Sequence, residues 1–383
     1  FNCGFFRYYF VMRSEPSRSS VSILTPFVFL RQAVTQFFRT EKPFLFFIGL
    51  LFILVSFTFQ TPAIARWIGF LIAGYATVAN DSIQTIGTFI ASNRHRPWWL
   101  LWLFIASIFA ITMVYSWITY SGDVSYGRLA SKGFEKSPVT FSYLQVAAPI
   151  FLLILTRLRM PVSTTFLILT SFSTSGKSIA KVLTKSLTGY CLAFVIAFGT
   201  WLLISHLIER FAKQGAPHPL WHAAQWLTTG TLWSVWLMQD AANIAVFLPR
   251  QLSILELLGF MIPIILGLGY MLKQGGAKIQ QVVEEKSRVS DVRSATIIDF
   301  IYAIILFYFK LHSKIPMSTT WVFLGLLGGR EIAMSIRCAT RRDLRSAIKM
   351  TVKDTSLALF GLAVSVLIAM GCNPAMRQTI LGL

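Results

Sequence analysis

Charge is what this sequence has least of. Asp, Glu, Lys and Arg together make up 13% of its 383 residues, where a soluble domain carries about 25%. Acids are scarcer still, 15 against 35 Lys plus Arg. Cysteine is nearly absent: Cys3, Cys191, Cys338 and Cys372 are scattered with no CxxC pair, which argues against a disulfide framework and a zinc site. The five histidines form no HExxH-like cluster. With few loop acids as well, a membrane enzyme acting on a lipid phosphate would lack a nucleophile, a base and a metal cage, so no enzyme and no resident cofactor is expected. No stretch is polar enough for a soluble nucleic-acid-binding domain. The net charge of +20 is therefore read through the membrane rule that Lys and Arg collect in cytoplasmic loops, and nucleic acid is not an expected partner.

What the chain has is apolar length. Hydrophobic residues are 55% of the total and mean hydropathy is +0.63. Apolar runs alternate with short basic loops at 44–60, 64–92, 97–120, 141–157, 160–175, 187–208, 219–247, 251–273, 294–311, 316–334 and 354–372. Runs of this length in lipid must satisfy their own backbone, which means helices. The expected fold is an all-α, polytopic membrane protein of about 11 apolar helices, with the short segments 160–175 and 316–334 either crossing or re-entrant. Membrane lipids are then its surroundings. Trp98, Trp99, Trp102, Trp117, Trp201 and Trp221 lie near segment ends, as an aromatic belt would. Loops on alternate sides give the larger share of Lys and Arg to the amino-terminal side. That predicts a multi-pass protein of the cell (inner) membrane with a cytoplasmic amino terminus. Residues 1–43 form a basic segment in which Val21–Phe38 reads as an interfacial amphipathic helix and Met12 as a start.

The acids that do occur inside apolar runs are repeated. Asn80-Asp81-Ser82-Ile83-Gln84 lies mid-segment, and so does Gln239-Asp240-Ala241-Ala242-Asn243. Further along, Pro161-Val162-Ser163-Thr164-Thr165 is matched by Pro316-Met317-Ser318-Thr319-Thr320. The offset from Asp81 to Asp240 is 159 residues and that from Pro161 to Pro316 is 155. Two landmarks recurring in one order at one period define a repeat, with a first copy at 64–210, a second at 211–383, and an extra helix at 44–63 outside it. Five apolar segments per copy is an odd number, so the copies insert with opposite orientation. Inverted repeats of this kind commonly build a transporter around a site near the midplane.

Each repeated residue has a chemical reading and a plain one. An ionised aspartate in a membrane is costly unless paired or hydrated. Asp81 with Asn80 and Gln84, and Asp240 with Gln239 and Asn243, offer oxygens for sodium, or a carboxylate for a coupling proton. The plain alternative is a hydrogen-bonded clamp between helices. Pro-x-Ser-Thr-Thr suits a helix start, where free N–H groups and a positive dipole end receive an oxyanion. Ser163, Thr164, Thr165, Ser318, Thr319 and Thr320 would add hydroxyl donors, although such residues also simply cap helices. Of the remaining acids, Glu256 fits a capping box with Ser253, and Asp299 reads as interfacial. Lys177, Arg330 and Glu331 read as solvated loop charges.

These motifs resemble those of the inorganic phosphate transporter (PiT) family, which carries an Asn-Asp motif and a Pro-[Val/Ile]-Ser-Thr-Thr motif in each of two inverted halves. The resemblance spans about residues 64 to 372 but is concentrated at four short motifs. This chain has Gln239 and Gln84 where that family usually has Asn, and Phe166 and Trp321 where a histidine commonly follows Ser-Thr-Thr. The resemblance implies phosphate symport with sodium or protons by alternating access, sulfate being the substrate proposed for some relatives. By it, Asp81, Asn80, Asp240 and Asn243 are cation ligands and the Ser-Thr-Thr residues anion ligands. A homo-oligomer is compatible with this picture, as is a non-transporting membrane receptor that kept the repeat.

Overall fold

The structure is a computed structural model. It describes residues 41–130, 134–158, 160–173, 176–213, 217–275, 291–312, 316–337, 341–374 and 377. The basic segment 1–40, with Met12 and Val21–Phe38, lies outside these. Contacts divide the chain into residues 1–54 and 55–383. In the first unit the described residues are the start of one helix, α1 (Lys42–Thr58), whose 17 residues hold a single charge, at Lys42.

The second unit is all helix among the described residues. In chain order it holds α2 (Pro62–Thr77), α3 (Ile83–Ser92), α4 (Trp98–Thr119), α5 (Tyr143–Arg157), α6 (Thr164–Leu167), α7 (Gly176–Lys213), α8 (Pro219–Ala245), α9 (Ile254–Lys273), α10 (Val292–His312), α11 (Thr319–Arg337) and α12 (Arg341–Cys372). Among the described residues, six stretches are long and apolar enough to cross a membrane: 62–82, α4, 176–204, α9, 292–309 and 344–372. Leu203, Leu255, Leu266, Ile111 and Leu367 point outward, as lipid-facing residues do, while polar groups lie inside. The chain is therefore a multi-pass membrane protein.

Helix starts follow the local chemistry. Pro62 and Pro219 open α2 and α8 at the position where a missing N–H costs nothing. Ser142 with Gln145, and Ser253 with Glu256, form capping boxes at α5 and α9, so the capping role expected of Glu256 holds. Between α2 and α3 the helix widens into a π-turn over Val78–Ser82. Asn, Asp and Ser side chains there compete for backbone groups, and a single π-turn inside a helix frequently marks a functional site.

The two Ser-Thr-Thr segments fold differently. Residues 160–175 do not form a spanning helix: an extended Pro161–Ser163 leads into the single turn α6 and a 3-10 turn, Leu169–Phe172. The second segment becomes the continuous 19-residue α11, buried along most of its length. Three other expectations are corrected. Arg330 and Glu331 are not solvated: both are buried on α11 and paired at 2.5 Å. Trp201 is no belt residue, since it is fully buried beneath the Arg330 guanidinium, 5.6 Å from the ring centre. Asp299 is not interfacial but 1% exposed, deep in α10. Lys177 is exposed as expected.

The most extensive helix pair is α7 with α11, and glycine allows it. Gly325 and Gly329, one turn apart on α11, lie against the Tyr190 and Phe194 carbonyls of α7, and a Cβ would sit 2.3 and 2.2 Å from those oxygens. Small residues four apart let membrane helices approach at backbone distance. Because the obstacle is backbone rather than a movable side-chain tip, Gly329→Ala is expected to destabilise the protein by about 1–3 kcal/mol. Denaturant unfolding of the purified protein checks this, with Gly199→Ala, which meets nothing within 4 Å, as the control.

Candidate functional site

The four repeated motifs converge on one buried network. Asp81, on the π-turn, and Asp240, five residues before the end of α8, are 2% and 1% exposed. Thr164, the first residue of α6, donates its hydroxyl to Asp81 Oδ2 at 2.6 Å. Asn243 Nδ2 lies 2.6 Å from Asp240 Oδ1, 2.8 Å from Thr164 Oγ1 and 3.1 Å from Thr165 Oγ1. The two acids are thus joined through one threonine and one asparagine. Asn80 Nδ2 donates to Asp81 Oδ1 at 2.7 Å and to the Val162 carbonyl at 2.8 Å, which ties the π-turn to the segment ahead of α6. Gln84 Nε2 donates to Asn80 Oδ1 at 3.1 Å. Gln239 turns the other way and donates to the Leu306 carbonyl of α10 at 3.0 Å.

The two Ser-Thr-Thr segments meet reciprocally. Thr165 donates to the carbonyl of Met317, the residue before Ser318, at 3.1 Å. Thr320 donates to the carbonyl of Val162, the residue before Ser163, at 3.5 Å. The next positions, Phe166 and Trp321, touch edge to face at 6.3 Å. Equivalent positions contacting one another is the signature of a two-fold relation. Ser163 and Ser318 act as caps, accepting from the N–H groups of Phe166 and Trp321, each at 3.3 Å. Thr319 accepts from Trp236 Nε1 at 3.2 Å, and its carbonyl accepts from the Tyr302 hydroxyl at 2.9 Å.

The donors and acceptors do not balance. Asp240 Oδ2, Asn243 Oδ1, Gln84 Oε1 and Gln239 Oε1 are buried without a hydrogen-bond partner. Leaving a buried polar atom unpaired costs about 1–3 kcal/mol, so a positive ligand would relieve Asp240 Oδ2 and Asn243 Oδ1, whose side chains touch. Thr77 Oγ1 is also unpartnered, and it lines, with Ser82, Trp236 and Asp240, a cavity of about 20 Å³. That is room for one water molecule or a small cation. Among the described residues no three His, Cys, Asp or Glu side chains converge as a metal cage. A cation here would draw on amide, hydroxyl and carboxylate oxygens, a set that fits a hard ion.

The pattern search missed three residues. Arg128, on the loop between α4 and α5, is 2% exposed, donates from Nε to the Met238 carbonyl at 2.7 Å and lies within electrostatic reach of Asp240. Its loop is held from both ends. Asp123 accepts from the N–H groups of Ser125 and Gly127 at 2.7 and 2.9 Å, and Arg250 clamps the Phe134 and Lys136 carbonyls at 3.2 and 2.7 Å. Tyr302 and Trp236, which meet Thr319, are the other two. None belongs to a repeated motif, so a search for repeats passes them by. Their only sequence signal is a polar or aromatic side chain placed where the fold happens to close.

Arg128 and Asp240 are expected to be energetically coupled. Arg128→Met and Asp240→Asn should each destabilise the protein, while the double variant should fall short of the sum by about 1 kcal/mol or more, because each single change strands the other's charge. A double-mutant cycle by denaturant unfolding measures this directly.

Comparison with known protein families, characterised proteins and solved structures finds no match to this chain.

Proposed function

We propose that this chain is a secondary active transporter that carries inorganic phosphate in symport with sodium ions or protons. On this reading residues 64–210 and 211–383 are two inverted repeats, the apolar helices carry the site near the midplane of a cell (inner) membrane, and the amino terminus is cytoplasmic. The observation that carries the reading is the reciprocal meeting of the two Ser-Thr-Thr segments, wired through Thr164 and Asn243 to both buried aspartates.

The network suggests how coupling works. Anion-binding hydroxyls and cation-binding acids are the same hydrogen-bonded set, because Thr164 donates its one hydroxyl proton to Asp81. While it does so, that proton is unavailable to an oxyanion. A sodium ion or proton at Asp81 or Asp240 competes for the carboxylate oxygens and releases the threonine to donate to phosphate. The anion then brings charge that offsets the cation. Each ligand removes the cost of binding the other, which is positive coupling by linkage. Sulfate, also a tetrahedral oxyanion, is the second reading. The residues that hold an oxyanion are hydroxyl donors and helix starts, which suit either anion.

Proteoliposomes containing phosphate or sulfate, under separately imposed sodium and proton gradients, test the proposal. Asp81→Asn and Asp240→Asn should each insert normally and reduce concentrative uptake by at least about tenfold, a change of about 1.4 kcal/mol in coupling. Wild-type uptake in either variant overturns the assignment. Ligand binding without gradient-dependent flux would instead identify a receptor that kept the repeat.

Thr164 separates the two halves of the mechanism. Thr164→Ser keeps the hydroxyl and should keep uptake, whereas Thr164→Val removes the only hydroxyl that Asp81 and Asn243 share. The valine variant should raise the half-saturating phosphate concentration by about tenfold, measured as initial uptake rate against phosphate concentration at fixed driving gradient.

A further inference from the structure

A third carboxylate lies buried away from the site. Asp299 on α10 accepts two hydroxyl hydrogen bonds, from Thr88 on α3 at 2.7 Å and from Thr229 on α8 at 2.5 Å. Thr88 is 2% exposed, and Thr229 is fully buried. Among the described side chains, the titratable or charged groups on the elements packed against α10 are His222 and Asp240 on α8, Lys177, Lys181, Lys185, Tyr190 and Cys191 on α7, and Arg330, Glu331 and Arg337 on α11; α3 carries none. On α10 itself they are Arg293, Tyr302 and Tyr308. Among the described residues none of these hydrogen-bonds to Asp299. A carboxylate inside a membrane without a cation is costly in its ionised form.

Both forms can be satisfied in place. A threonine hydroxyl both donates and accepts, and on a helix it can turn to its own i−4 carbonyl. The ionised carboxylate accepts from Thr88 and Thr229. A protonated carboxyl donates to one of them once that hydroxyl has turned away. Two hydroxyls offer too few oxygens to strip a metal cation of its water, but they are enough for a proton.

Asp299 also lies on a row of polar groups that runs from the site toward a helix end. On the π-turn and α3 the row is Asp81, Thr85, Thr88 and Ser92, spaced four and three residues apart, which is one helix face, and His95 follows in the turn after α3. One turn beyond Thr88, at about 6 Å of rise, Asn93 Nδ2 donates to Gln225 Oε1 at 2.9 Å, Gln225 Nε2 donates to Ser92 Oγ, and Trp226 Nε1 donates to Asn93 Oδ1 at 3.3 Å. At the outer end His95 is exposed and packs against His222 at 6.2 Å between ring centres. His222 Nδ1 is buried with no partner, a proton-binding atom left open at the entrance to the row. At the inner end Tyr302, one turn along α10 from Asp299, hydrogen-bonds to the Thr319 carbonyl and lies within electrostatic reach of Asp240 and Asp81.

We propose that Asp299 is a proton-carrying site of this transporter, loaded from the His95/His222 end and facing the Asp81/Asp240 network through Tyr302. This rests on the transport reading above and adds the proton as a carried ion with its own site. The step is a simple transfer: a proton enters from water at the surface end, and the Asp299 carboxylate becomes a neutral carboxyl. On release inward, the carboxylate is restored.

Two measurements on the reconstituted full chain test it. Infrared difference spectra between acidic and alkaline buffer should contain a carboxyl C=O band that is absent in Asp299→Asn and retained in Asp240→Asn. In proteoliposomes, Asp299→Asn should keep phosphate/phosphate exchange, which needs no net proton movement, within about twofold of wild type, while accumulation driven by a proton gradient falls by about a hundredfold. Asparagine preserves contacts to both threonines, so a purely structural role would leave exchange and gradient-driven accumulation equal. A carboxyl band that does not respond to pH or survives in Asp299→Asn, or full proton-driven accumulation in that variant, overturns the proposal. If the wild-type protein moves neither phosphate nor sulfate, the transport reading fails, and the infrared measurement still decides whether Asp299 exchanges protons.

Discussion

A carboxylate buried in a membrane must find its hydrogen-bond donors inside the protein, and the rest of this structure is arranged around that demand. Asp81 and Asp240 are 2% and 1% exposed, so bulk water does not reach them. They are served instead by Thr164 and Asn243. Thr164 reaches Asp81 from the start of α6 and so ties α6 to the π-turn, while Asn243, near the end of α8, reaches both Asp240 on its own helix and Thr164 and so ties α8 to α6. The π-turn at Val78–Ser82 follows from the same constraint. A regular helix would keep every backbone group in its i−4 ladder, whereas the wider turn goes with an Asn80 side chain that reaches across to the Val162 carbonyl.

That arrangement leaves a surplus of acceptors. The donors present are amides, hydroxyls and one distant arginine, and after they are used the oxygens of Asp240, Asn243, Gln84 and Gln239 remain. A site optimised only to clamp helices would have paired them, since each unpaired buried oxygen is destabilising. Strain of this kind persists where a ligand later relieves it. Asp240 Oδ2 and Asn243 Oδ1 in that surplus are acceptors, which a cation or a proton would satisfy.

Much of this was legible from the chain and some was not. Helix existence followed from apolar length, and the four motifs were found by their common period, because an acid in an apolar run and a duplicated Pro-x-Ser-Thr-Thr are both rare patterns. What periodicity does not encode is how each copy closes. The first Ser-Thr-Thr segment stops after one turn, where Thr170 and Ser171 turn their hydroxyls onto the carbonyls of Phe166 and Ile168. The second continues because Gly325 and Gly329 let it lie against α7. Arg330 and Glu331 look like loop charges by composition, and only tertiary packing buries them as a pair. Arg128 was missed for a related reason: a lone arginine in a polar loop carries no pattern until the loop folds back onto α8.

The asymmetry between the halves has a consequence for how such a site could move. Thr164 stands on a single turn anchored mainly by its cap and by side-chain bonds to neighbouring helices. Thr319 stands at the head of a five-turn helix locked to α7 at backbone distance. A change in charge at the acids would therefore be taken up first by the short segment, which has the fewer contacts to break. The long one serves as the fixed reference. Among the described residues, the direct polar links across that seam are the reciprocal hydrogen bonds between Thr165 and Met317, and between Thr320 and Val162, and each is a hydroxyl to a carbonyl that can be remade after a small slide. A two-fold contact made of weak, replaceable bonds, between one rigid and one soft partner, can hold a closed state without locking it.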